Sequence, residues 1–167
     1  TRTRATDIGG FLRSVGQSGV AAGMTAEQLA AYGASLRQSG SETPAAQKAM
    51  SSIVDTFSQA SDQGRDFDRA LRGMGLRTRA FAQAFRRDAN GTILDFLERL
   101  QRLAPDKRND AISNIFGNDQ AEEIRRLAQQ VSRIRDLQAQ LNDRNRTRGA
   151  VRREFDIISE ADFAKLE

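Results

Sequence analysis

Carboxylates are the only side chains here with a route to acid–base chemistry, because the 167 residues include no His and no Cys. Without His the commonest general base, every Ser-His-Asp arrangement and most zinc geometries are excluded. Without Cys there is no thiol nucleophile, no thiolate metal site and no disulfide framework. Among the acids, Asp95 and Glu98 stand three apart on one predicted helix face, and Glu122 and Glu123 are adjacent. Yet Asp68 with Arg72, Glu98 with Arg102 and Glu122 with Arg126 have the i, i+4 spacing of surface ion pairs, worth a few tenths of a kcal/mol each. These acids read as solvated helix faces. The sequence presents no catalytic pair, no metal ligand set and no cofactor motif, and an enzyme is the least supported class. Gly73-Met74-Gly75 has two glycines of a phosphate loop. It follows a helix rather than a strand and lacks a Lys-Ser/Thr pair after it, so it reads as a helix cap.

The cations are almost all Arg, 23 of 26, and the formal charge is +4. Residues 1–64 are balanced at five bases and five acids, residues 65–108 hold eleven against six, and residues 109–167 hold ten against eleven. A dedicated nucleic-acid binder carries a larger excess, which disfavours nucleic acid as the partner. The densest local run is Arg144, Arg146, Arg148, Arg152 and Arg153, a candidate contact for phosphate or an acidic partner. Phe155 is the one aromatic beside it, whereas stacking platforms use several. Asp143, Glu154 and Asp156 flank the run, so a solvated helix junction is the simpler reading.

The elements that must position these groups are helices. The chain is rich in Ala, Leu, Arg, Gln and Glu, and no segment alternates apolar and polar residues as a strand does. A first helix is predicted over about 7–22, with Ile8, Phe11, Leu12, Val15 and Val20 as its apolar content and Gly23 as its cap. Thr25-Ala26-Glu27-Gln28 has capping-box spacing and opens a second helix through Gln38, which buries Leu29, Tyr32 and Leu36. Thr43-Pro44 starts a third, with Thr as cap, Pro in the first turn and Met50, Ile53, Val54 and Phe57 as the buried stripe. Shorter helices follow, one over 66–74 and the next capped by Thr78, with Asn90-Gly91 predicted to turn the chain before a helix over 92–103. Pro105 opens the next, which stops at Phe116-Gly117.

Beyond Asn118 the only Gly is Gly149 and there is no Pro. Ile124, Leu127, Val131, Ile134, Leu137 and Leu141 recur at spacings of three and four, close to a heptad seam for helix packing or self-association. Arg144 to Gly149 interrupts this seam before periodicity resumes through Phe155, Ile158 and Phe163. The expected architecture is all-α: a multi-helix module over 1–117 and a long amphipathic arm over 118–167 that fits a coiled coil. The longest apolar run is Leu29–Tyr32, far short of the roughly 20 residues of a membrane helix, and no secretory signal is legible. Thr1 in place of Met points to a segment of a longer protein.

Two stretches, taken in order, resemble a known family. The first runs through Ile8-Gly9-Gly10-Phe11-Leu12, Gly16, Ala21-Ala22-Gly23-Met24-Thr25 and Gln28-Leu29-Ala30-Ala31. The second runs through Ala70-Leu71-Arg72-Gly73-Met74-Gly75-Leu76 and Gly91-Thr92-Ile93-Leu94-Asp95-Phe96-Leu97-Glu98-Arg99-Leu100. It continues by Pro105 and Arg108 to Ile115-Phe116-Gly117, with Ala121 and Leu127 beyond. This order resembles the core region of phage tail tape-measure proteins, over roughly residues 7–130. It departs from them at Thr43-Pro44-Ala45-Ala46, where the family often has Ala-Gly-Thr. The resemblance implies a non-enzymatic structural role: scaffolding the tail tube, setting its length and leaving ahead of DNA at infection. It also implies a homo-oligomer, a trimer in the family, with tail-tube, tail-tip and assembly-chaperone partners. The implied location is the lumen of the virion tail, and the bacterial cytoplasm during assembly. The alternatives from the residues alone are a helical adaptor using the 124–141 seam, or a weak nucleic-acid binder using Arg144–Arg153.

Overall fold

The computed structural model describes residues 2–155, and side chains at 9, 10, 12, 13 and 15–144. Among the described residues the chain is all helix, with nine α-helices, one 3-10 turn and no strand. The helices are α1 (Arg2–Ala21), α2 (Ala26–Gln38), α3 (Thr43–Ser58), α4 (Arg65–Gly73), α5 (Thr78–Arg87), α6 (Ala89–Arg102), α7 (Pro105–Phe116), α8 (Ala121–Gln129) and α9 (Val131–Phe155). Ile8, Phe11, Val151 and Phe155 lie outside the described side chains, and Ile158 and Phe163 outside the described residues.

Local chemistry sets most boundaries. Thr25 Oγ1 accepts from the Gln28 N–H at 3.1 Å while the Gln28 side chain accepts from the Thr25 N–H at 2.9 Å, the reciprocal capping box that opens α2. Pro44 and Pro105 stand in the first turns of α3 and α7, where the missing N–H has no intrahelical partner to lose. Gly75 stops α4: at φ +77° it lets the Leu76 N–H reach back to the Leu71 carbonyl at 2.8 Å.

Three predicted boundaries differ. Thr43 and Thr78 are not caps but first residues of their helices, preceded by Glu42 and Arg77 in extended backbone. The Thr78 hydroxyl instead donates to Asp68, tying α5 to α4. Asn90-Gly91 does not turn the chain. The break falls at Asp88, whose carboxylate accepts from the Gly91 N–H at 2.9 Å and so starts α6 three residues earlier. Any side chain at Gly91 would run into that carboxylate.

α1 lies on α2 and α3, with Val15 fully buried and Gly19 pressed against Leu29. Val20, predicted on the apolar face, is 67% exposed. Next to this lies an aromatic core. Phe57 of α3 meets Phe81 at 4.8 Å, Phe96 at 4.9 Å, Phe116 at 5.7 Å and Phe85 at 5.9 Å, so one side chain joins α3, α5, α6 and α7. Phe67 of α4 reaches Phe81 at 6.3 Å. The edge-on geometry of most of these pairs is the one that ring quadrupoles favour.

The segment after residue 118 folds back. Gln130 separates α8 from α9, α8 packs on α6, α7 and α2, and α9 lies along α2. Ile124, Leu127, Val131 and Ile134 belong to the same buried cluster as Phe57 and Leu97, with Leu137 and Leu141 partly buried against it. Helix α9 runs unbroken through Arg144–Gly149, contrary to the predicted interruption.

Candidate interaction surfaces

Four of the predicted carboxylates, Asp68, Asp95, Glu98 and Glu122, are spent on structure. Glu122 pairs with Arg126 at 2.8 Å, as its spacing indicates. Asp95 pairs with Arg99 at 2.9 Å, while Glu98 reaches across to Arg135 of α9 at 2.9 Å rather than along its own helix to Arg102. Asp68 takes the Thr78 hydroxyl, and Arg72 is left without it. No group of three or more Asp and Glu gathers to hold a metal ion among the described residues.

The seam at 124–141 faces inward. Its first four residues are in the core, so the apolar positions that a partner helix would need are already covered by α2, α6 and α7. What positions α9 more closely is polar. Tyr32 is fully buried and its hydroxyl donates to Asn90 Oδ1 at 2.8 Å. The Asn90 and Gln138 amides face each other, donating in both directions at 2.9 and 2.8 Å, and Gln138 Nε2 also reaches the Gln28 carbonyl at 3.3 Å. Burial pushes the Tyr32 phenol well above its ordinary pKa, more than the Gln138 hydrogen bond and the nearby Arg135 pull it down. It is a neutral donor. Ser35 donates to Gln130 and Arg126 to Ser41, both at 2.7 Å, extending this contact over α8. No described buried side-chain polar atom lacks a partner. The arrangement works as a latch between α2, α6 and α9: every group in it is satisfied.

The predicted cationic run is placed only in part. Arg144 is exposed on α9, and the side chains of Arg146, Arg148, Arg152 and Arg153 lie outside the described residues. The structure brings forward a different set. Arg65, Arg69, Arg72, Arg77, Arg79, Arg86 and Arg87 are all exposed on α4, α5 and the joining loop. None forms an ion pair or side-chain hydrogen bond. By contrast, Arg108 donates to the Leu100, Gln101 and Leu103 carbonyls at 3.2, 2.7 and 3.0 Å, and Arg99 to the Met74 carbonyl at 3.0 Å. The sequence signal for the exposed set was the excess of bases over 65–108. What it lacked was which of those bases close helix ends and which stay free.

No described helix is long and apolar enough to cross a membrane. No curated protein and no solved structure matches the chain. The sequence model of one family, described as phage-related minor tail protein, matches residues 1–117, from α1 through the Gly117 stop of α7. The chain therefore belongs to the phage-related minor tail protein family, as a helical structural protein of a phage tail.

Proposed function

We propose that this chain is a segment of a tape-measure protein, which scaffolds tail-tube assembly, sets tail length and leaves ahead of DNA at infection. The observation that carries the reading is the ordered set of motifs from Ile8-Gly9-Gly10 to Ile115-Phe116-Gly117, which resembles that family and coincides with the span of the tail-family match. The role is mechanical: it works by contact and occupied length rather than by turning over a substrate. Its partners are further copies of itself, the tail tube and tip, and assembly chaperones, met first in the cytoplasm and then in the tail lumen.

An α-helix converts residue count into distance at about 1.5 Å per residue. That ruler needs helices laid end to end, whereas α1–α9 fold back on one another around a shared core. This segment is therefore the anchoring or tip-proximal module, and the ruler lies elsewhere in the parent chain. Electron microscopy of tails from in-frame deletions tests both parts. Deletions in the parent's extended helical region are expected to shorten tails in proportion, and deletion of this module is expected to abolish tails. Full-length tails in the first case refute the ruler; proportionate shortening in the second refutes the anchor. The adaptor reading gains nothing from the seam, because only Leu137 and Leu141 retain exposed surface for a partner.

A further inference from the structure

The seven unpaired arginines of α4 and α5 stand within 24 residues that hold only three acids, so their excess equals the net charge of the whole chain. They are not scattered. A cleft of about 720 Å³ is lined by Arg72, Arg77 and Arg79, and a second of about 810 Å³ shares Gly75, Leu76 and Arg77 with it and extends to Arg87. A third carries on from Arg87 to Arg86. Arg72, Arg77, Arg79, Arg86 and Arg87 thus line adjoining clefts that form one belt, and Arg65 and Arg69 stand on the same helix as Arg72. The carboxylates on it are engaged: Asp68 with Thr78, Asp88 with the start of α6 and Asp95 with Arg99.

We propose that this belt binds the phosphate backbone of double-stranded DNA without reading its sequence. An acidic protein surface is the competing partner, but protein interfaces are anchored by aromatic or aliphatic side chains at their centre. Here Phe67, Phe81 and Phe85 are buried, and Val20 of α1 is the one large hydrophobic side chain exposed among the described residues. The same burial removes the stacking platform that single strands use. What remains is a row of charged forks, the chemistry of phosphate contacts that position without specifying. This binding does not depend on the tape-measure reading.

The test is fluorescence anisotropy with the full chain and a labelled duplex, titrated at several salt concentrations. Binding is expected to weaken roughly 100-fold between about 50 and 200 mM salt, as for about four neutralised phosphates. The variant R72Q/R77Q/R86Q/R87Q is expected to lose at least about tenfold in affinity and most of that salt slope. The variant R13Q/R102Q/R133Q/R144Q, which removes the same charge elsewhere, is expected to keep both; thermal melts check that each variant folds. Absence of binding at low salt overturns the proposal, as does equal loss in the two variants. So does preference for a polyglutamate peptide or a single strand over the duplex at matched charge.

Discussion

The side of the molecule where Phe57 meets four other rings and the side where α9 lies on α2 and α6 are held by different physics. The first is dry and non-directional: α3, α5, α6 and α7 converge because each presents a Phe to one point. Burying such rings removes apolar area from water but tolerates small shifts in helix register. The second combines an apolar floor, Ile134 and Leu137, with directed bonds donated by Gln138 and Arg135 and one that Gln130 accepts from Ser35. A slip of α9 would take Gln138 away from the Asn90 amide and the Gln28 carbonyl, while the Tyr32–Asn90 bond between α2 and α6 stays in place. The aromatic side supplies stability, and the polar side selects one register.

The comparison breaks first under the harshest change. Leu127→Asp and Ile134→Asp each place a carboxylate in the core, and each is expected to cost more than about 4 kcal/mol, enough to unfold the chain in a thermal melt. Unchanged melting and unchanged mass by light scattering would mean that α8 and α9 are not packed as described. Phe57→Ala is expected to cost about 3–5 kcal/mol, since four rings lose a neighbour at once. If chemical denaturation shows a smaller loss than for an ordinary Leu→Ala in α1, the aromatic hub is not what holds that side. Gln138→Leu sharpens the contrast: about 1–3 kcal/mol is expected, because Asn90 loses both of its bonds to Gln138 while shape is nearly kept. Its distinguishing sign is faster amide exchange in α9 with the α3–α7 core unaltered.

Tyr32 gives a pH test. As the only Tyr, with no Trp in the chain, its phenolate absorbance reports on that one site. Burial raises its pKa from the ordinary value of 10.0, so the folded state holds the proton more tightly than the unfolded chain does. Stability is therefore kept below about pH 10 and falls as pH rises above it. Absorbance is expected to change together with helix unfolding, and a simple titration of native protein near pH 10 would show that the hydroxyl is open to water. Smallest of all is Glu98→Gln, which removes the half-exposed bridge to Arg135. A loss of about 0.5 kcal/mol or less, abolished by salt, is expected in denaturant melts.

How far the sequence could be read depended on how far apart the interacting residues stand. Thr25 and Gln28, Pro44, Pro105, Gly75 and the Glu122–Arg126 pair were legible because each acts within one helical turn or one cap. Asn90 was read as a turn because Asn-Gly usually makes one; its side chain is instead drawn to Tyr32, 58 residues away, and to Gln138, 48 away. Glu98 had Arg102 one turn ahead and took Arg135, 37 residues on. The seam at 124–141 is apolar by residue type, but period alone does not say whether a neighbour or the chain's own α2 covers it.

By itself the sequence determined the helical class, most helix ends, and the absence of any His or Cys chemistry, because propensity, capping and residue type are local properties. Tertiary structure alone decided that α8 and α9 close onto the module, which acids are spent on neighbours, and which arginines are left to form a belt. Those outcomes depend on pairings between residues distant in the chain, whose energies become accessible only once the core has brought them together.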